Sequence, residues 1–439
     1  MTIHWDQVTE AVQQQNWALF NRYLQQLVDS DLPQRSIAIP PEFSETDFAQ
    51  SLTLALQILA FGQFQAKWDV AKLFPAFGQA AIAPLSALLQ DETAELDARW
   101  LAARILGECD DAAIVPSLIT VLQTTNNDDL RSIVAEALSK QGEPAIAALI
   151  DLLANPATQL QTVRSQAVRS LSQIRHASTI EALLQVVNDP DSATRTLAIE
   201  AISSFHDSRV PPVLVAALTD LAASVRIAAI AGLAVRSDLL NELDLVKLIG
   251  DRLWDVDLSV CRQAAIGLGR LGSDAAVPLL AQALDSPVMA LDLQLEILRS
   301  LGWIGSSKAL QVLHLALSDP RSPELTLEMI QILGRWQTDQ LSPTMVLLAT
   351  LDNQFARQDA TIRQAIALAL GQLGQMAALD FLIDLLADDD AGVRLHAIAA
   401  LKRLNAQAAH DRLQVLATQP NLSVALQQGI TVALQEWSV

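Results

Sequence analysis

Cysteine is almost missing from this chain of 439 residues, which has two, and tyrosine is rarer still, with one. Two thiols, Cys109 and Cys261, cannot build a disulfide framework, so a reducing compartment and a cytoplasmic location are expected. Positive charge is scarce as well. Lys and Arg number 29 against 49 Asp and Glu, a net charge of −20. That balance leaves no basic footprint for nucleic acid and no polybasic segment for an anionic membrane. No run reaches the roughly 18 apolar residues that suggest a membrane span. The start, MTIHWDQVTEAVQQQ, is polar and lacks the pattern of a signal peptide. Catalytic signatures are missing too: there is no GxSxG, HExxH, Walker loop, GxGxxG after a strand, or CxxC. No catalytic residue, resident metal or cofactor is assigned.

What the chain has is apolar residues, 51% of the total, arranged as a repeat. From position 81 it reads AIAPLSALLQDETAELDARWLAARILGE, and from 377 AALDFLIDLLADDDAGVRLHAIAALKRLN. Ile82, Leu85, Leu88 and Leu89 return as Ile146, Leu149, Leu152 and Leu153. They return again as Ile180, Leu183, Val186 and Val187, and as Leu379, Leu382, Leu385 and Leu386. The spacing i, i+3, i+6, i+7 puts all four on one helix face. A turn rich in Asp follows (Asp91, Asp189-Pro190, Asp319-Pro320, Asp388-Asp389), as suits a helix N-cap. A second helix then opens with an arginine and continues in small residues, as in IAAIAGLA at 227–234. Small side chains let neighbouring helices approach to the short end of the roughly 8–10 Å range. One such pair cannot bury its own apolar face, so the pairs must stack.

The pattern resembles HEAT repeats, specifically the phycobilisome-lyase-like (PBS-lyase-like) variety with its D-P-x-x-V-R-x-x-A-x-x-A-L-G signature. The resemblance covers residues 81–439 as about eleven repeats, with 51–80 as a degenerate first pair. It implies an all-α superhelical solenoid and a cyanobacterial or algal setting. Residues 1–50, with Trp5, Trp17, Phe20 and Tyr23, then a loop around Pro33, Pro40 and Pro41, are expected to form a helical cap.

Aligned on the signature arginine, the positions are Arg99, Arg131, Arg164, Arg195 and Arg226, then Cys261, Gln294 and Thr326, then Arg363 and Arg394. The arginines read as a structural ladder paired with turn aspartates, since a guanidinium fork bonds two oxygens at once. Three consecutive repeats lack it, and gaps of 35 and 37 residues flank them, predicting longer loops near 236–244 and 351–359. Within this stretch lie Trp254, Trp303 and Trp336. With aromatics at 4% overall, the three tryptophans read either as anchors for a partner or as plugs in weaker packing. The partner-binding candidates are therefore Trp254, Cys261, Gln294, Trp303, Thr326 and Trp336. Cys261 is also readable as a reactive thiol or as a small core filler. His176 and His206, closing adjacent second helices, read as helix C-terminal residues suited to the dipole, with a metal pair as the alternative.

The expected function is a non-enzymatic scaffold that docks a protein partner on the surface lined by the second helices. The resemblance implies two alternatives. One is a phycobilin lyase of the E/F type or a subunit of one, handling bilin transiently for a phycobiliprotein, with arginines pairing the propionates. The other is a partner of an iron–sulfur carrier.

Overall fold

The computed structural model describes residues 45–154, 161–174, 176–239, 244–336, 342–351, 354–419 and 421–437. Residues 1–44, most of the expected cap, lie outside these. Among the described residues every regular element is a helix. The chain forms two compact units, residues 1–213 and 214–439, divided within the helix Val210–Ala217.

In the first unit, the helices Glu45–Phe61 and Phe64–Ala71 precede four regular pairs. Their first helices are Ile82–Gln90, Val115–Thr124, Glu143–Ala154 and Ala177–Val186. The second helices are Leu96–Gly107, Asp128–Lys140, Gln161–Gln173 and Ser192–Ile202. In the second unit, Ala223–Ala234 is followed by pairs whose second helices are Leu258–Leu271, Leu291–Ile304, Pro323–Gly334 and Ala360–Leu373. The helix beginning at Ala391 breaks at Asn405 (φ −166°, ψ 100°), so one assigned span contains the second helix of one pair and the first of the next. Counted through Val424–Trp437, the pairs from Ile82 onward number eleven among the described residues.

The local reasons are the ones the repeat suggests. Second helices start where a turn side chain accepts a backbone N–H that the helix leaves unpaired. Asn127 takes Leu130 N at 2.8 Å, Asp191 takes Thr194 N at 2.8 Å, and Asp390 takes Val393 N at 2.9 Å. The apolar faces are fully removed from water at Leu85, Leu149, Leu183 and Leu382. Small residues set the spacing of second helices: a Cβ on Gly371 would lie 2.7 Å from Ala400 Cα, which only glycine avoids. Several second helices end on a left-handed residue, and Gly305 at φ 63° supplies that conformation without a Cβ clash.

The signature arginines share a rung that is a backbone carbonyl. Arg99 Nε donates to Leu89 O at 3.0 Å, Arg195 to Asp189 O at 2.8 Å, and Arg394 to Asp388 O at 2.7 Å. Arg131 reaches Thr125 O and Asp128. Each thus satisfies a carbonyl orphaned where the first helix ends, with a cation at the negative end of the helix dipole. Arg164 adds Asp189, Arg226 adds Asp255 and Arg363 adds Asp388, each an aspartate from the following repeat. Of the two expected longer loops, that at 351–359 contains a short helix, Gln354–Gln358. This helix does the work of a first-helix terminus, because Arg363 donates to Ala356 O at 3.1 Å and Arg357 O at 2.8 Å. The other carries the 3-10 turn Ser237–Leu239, where Arg236 pairs with Asp238 at 2.8 Å; residues 240–243 lie outside the described ones.

Candidate protein-binding surfaces

Two of the three repeats without the arginine keep its hydrogen bond by other means. Cys261 Sγ donates to Asp255 O at 3.2 Å, and Gln294 Nε2 to Leu284 O at 3.1 Å. Arg321, from the next turn, shares Leu284 O at 3.3 Å and pairs with Asp285 at 2.9 Å. Thr326 turns inward and bonds Ser322 O, in its own helix, at 2.8 Å. Cys261 and Thr326 are buried, at 5% and 1% exposure. Neither can touch a partner, and Gln294 is half-buried with its amide committed. Two of the six proposed contact residues, Cys261 and Gln294, are thus turn-closing groups, because the carbonyl needs a donor whatever the residue type. Burial pushes the Cys261 thiol above its ordinary range, with the Asp255 and Asp257 charges adding to this, so it stays protonated and unreactive.

The tryptophans behave differently. Trp254 is half-exposed at the end of the 3-10 turn Asp251–Trp254. Trp303 is 57% exposed, and its ring lies over Gly269, where an added Cβ would meet it at 3.0 Å. Trp303 and Trp336 line a single groove of about 590 Å³, with Arg299, Glu328 and Arg335 as its charged groups. Arg299 is tied across it to Glu328, at 3.0 and 3.2 Å.

Beside these lies a feature that the sequence reading passed over. Leu221, Val256 and Val288 stand at the tips of three consecutive turns with exposures of 99%, 100% and 84%. Five residues before the signature position, where Leu221 and Val256 stand, other turns have Ala94, Asn126, Pro190 and Asp389; Val288 stands six before Gln294. The missing signal was an apolar residue where the signature has Pro or an acid.

The first unit has an aromatic cluster that was likewise passed over. Phe64 and Trp68 stack with centroids 6.2 Å apart, and Trp68 and Trp100 at 6.4 Å. The guanidinium of Arg104 lies 4.3 Å from the Trp68 centroid. These rings, with Leu96, Ile133, Asp97, Asp129 and Glu136, line a groove of about 500 Å³. Trp68 and Trp100 are one repeat apart, as Trp303 and Trp336 are, and that periodicity was the available clue. Beneath the groove Lys67 is fully buried and bonds Asp97 at 2.9 Å and Glu95 as well. Burial alone would lower its pKa, but the Asp97 and Glu95 hydrogen bonds outweigh that and raise it.

His176 proves to be an N-cap, not a helix C-terminal cation. It opens Ala177–Val186, its Nδ1 accepting the Ser178 amide at 3.3 Å and meeting the Ser178 hydroxyl at 2.7 Å. His206 is exposed in a loop, and no group of three His, Cys, Asp or Glu side chains converges as metal ligands would among the described residues. Among the same residues, no single helix is long and apolar enough to cross a membrane.

Paired helices, small-residue contacts, capped turns and shallow grooves define a helical-repeat solenoid of the kind that presents surface to other molecules. The HEAT-repeat family profile matches residues 82–161, 158–234, 245–334, 314–402 and 344–431, and the chain belongs to that family. No curated protein matches the sequence. Among solved structures it is similar to Kap95p, studied with RanGDP in nuclear import complex assembly, at 14% identity and a TM-score of 0.58. That match covers 90% of this chain and 61% of the other, so the chain spans about three-fifths of the Kap95p chain. Kap121p matches at 13% identity over 96% of this chain and 57% of its own, TM-score 0.48. Human deoxyhypusine hydroxylase in complex with glycerol matches at 21% identity over 60% of this chain and 96% of its own, TM-score 0.27.

Proposed function

We propose that this protein is a non-enzymatic scaffold that holds a protein partner against residues 214–336 of its second unit. The observation that carries this reading is the row Leu221, Val256 and Val288, three aliphatic side chains held in water at successive turn tips. Covering each such side chain is worth about 1.5–3 kcal/mol, a strong pull toward a partner. Trp303 and Trp336 add rigid rings of the kind that anchor interfaces. The PBS-lyase-like resemblance supports a phycobiliprotein or another photosynthetic assembly component as the partner, met in a reducing cytoplasm.

The test is affinity capture with wild-type protein and with Leu221→Ser/Val256→Ser/Val288→Ser and Trp303→Ala/Trp336→Ala variants, under identical conditions. The scaffold reading expects a defined protein set that both variants lose. A set recovered equally by all three proteins would remove these residues from the interface.

A second reading rests on the groove between Trp303 and Trp336, where Arg299 and Arg335 could meet the propionates of a bilin whose rings stack on the indoles. Titrating a free bilin into the pure protein and watching its visible absorption decides it: an unchanged spectrum ends that reading. Nothing about Cys109 or Cys261 favours an iron–sulfur carrier as the partner. Each thiol bonds a carbonyl, Ile105 O and Asp255 O, and each is held protonated by burial.

A further inference from the structure

In the first unit, Phe64, Trp68 and Trp100 form a row of rings with steps of 6.2 and 6.4 Å. Alternate side chains of an extended peptide project to the same side about 6.6–6.8 Å apart, two residues at 3.3–3.4 Å. The row therefore matches an extended segment that lays every second side chain on the aromatic floor.

Charge selects what those side chains are. Of the groove's charged groups all are carboxylates: Asp97, Asp129 and Glu136. Asp97 is partly offset by buried Lys67 and Glu136 by Lys140 at 3.1 Å, while Asp129 is exposed, with no ion pair among the described residues. The unit itself shows that these rings accept a cation. Arg104, just outside the groove lining, holds its guanidinium 4.3 Å from the Trp68 centroid and 6.0 Å from that of Trp100. Phe64 is 60% exposed, and Trp68 and Trp100 keep part of their surface in solvent, so a second cation has ring surface to occupy.

We propose that this groove binds an extended protein segment carrying lysine or arginine at alternate positions, the cations stacking on the ring row and pairing with the acidic rim. The groove is separate from the apolar edge of residues 214–336, so its failure would leave the scaffold reading standing, and the reverse holds too. The occupant is not a second copy of this chain's acidic surface, because a net charge of −20 opposes self-association at an acidic rim.

The experiment is fluorescence anisotropy with the full-length protein and a labelled Ser-Arg-Ser-Arg-Ser-Arg-Ser peptide, against its Glu-for-Arg counterpart and a peptide with the three arginines contiguous. The alternating peptide should bind at least fivefold tighter than the contiguous one, and the acidic peptide should not bind. Trp100→Ala should weaken binding tenfold or more. Asp129→Asn/Glu136→Gln, two exposed positions that leave the core untouched, should weaken it three- to tenfold and reduce its salt dependence. Equal affinity for the two basic peptides, or binding that survives Trp100→Ala, would show only diffuse attraction to an acidic protein and overturn the proposal. Should Trp100→Ala lower the melting temperature, Phe64→Ala, at an exposed ring, replaces it and is expected to cost at least threefold. No binding of any basic peptide overturns the proposal outright.

Discussion

The turns between Ile82 and Ile202 and those between Leu218 and Leu291 solve one problem and then diverge. Both must close a first helix whose last carbonyls are unpaired, and both do so with a donor from the second helix. Arg99, Arg131, Arg164 and Arg195 serve the first set; Arg226, Cys261 and Gln294 serve the second. Five residues before the signature position the first set has Ala94, Asn126 and Pro190, while the second has Leu221 and Val256 there and Val288 six before Gln294. Closing the turn does not require the apolar tips, since the first set manages without them. Those side chains are therefore surplus to folding, which is why they, and not the replaced arginines, mark a surface.

The comparison breaks most readily at Arg226. The Asp255 side chain is 6% exposed, and both its oxygens are bound by that guanidinium, at 2.9 and 2.6 Å. Arg226→Met should destabilise the second unit by about 3–5 kcal/mol, read by chemical denaturation, because it strands a buried carboxylate. A loss under about 1 kcal/mol would mean the aspartate finds water, and the rung matters less than its burial implies.

Acid should produce a smaller effect by the same route. Burial alone would raise the Asp255 carboxyl, but the Arg226 hydrogen bonds, the Asp257 amide and the charges of Arg226 and Arg252 together hold it below the usual range. A carboxyl depressed on folding contributes stability above its unfolded pKa of about 4, and that contribution is lost as pH falls through the lower folded value. The wild type should therefore lose second-unit stability steeply below about pH 4. Asp255→Asn should be less stable at neutral pH and flatter in that window, as measured by melting temperature against pH. Parallel curves for the two proteins would remove Asp255 from the acid transition.

Replacements at the substituted rungs should cost least. Cys261→Ser and Gln294→Ala should each change stability by about 1 kcal/mol, the ordinary worth of one hydrogen bond. Cys261 should also resist alkylation at pH 8 until the protein is unfolded, which mass spectrometry would show. Rapid native labelling would contradict its burial. The triple change Leu221→Ser/Val256→Ser/Val288→Ser should leave the melting temperature where it was, since exposed positions away from capping groups shift stability by within about 0.5 kcal/mol. A substantial loss would make the row part of the fold and sink the scaffold argument built on it.

Sequence made the fold legible because helix pairing is written redundantly. The i, i+3, i+6, i+7 face, the Asp turn and the small-residue helix each point to the same repeat, and the eleven pairs follow. The site was only half legible, for a physical reason. A column of arginines shows which residue type is missing, but not that sulfur or an amide can reach the same carbonyl, as Cys261 and Gln294 do. Loss of the arginine looked functional and was a change of donor. Trp100 sits in a regular repeat and Trp68 in the degenerate first pair, and their stacking depends on two helices aligning in space, which no column of the repeat records.

The carbonyl rungs also bear on how such a chain changes length. The carbonyl rungs of Arg99 and Arg394 close turns of their own repeats, so a duplicated copy arrives with that cap already inside it. Copying segments of one repeat length would add surface without inventing a new junction. Excision is less forgiving. Removing the repeat that carries Asp189, Asp255 or Asp388 would leave Arg164, Arg226 or Arg363 without its carboxylate. At those joints the array tolerates addition better than loss.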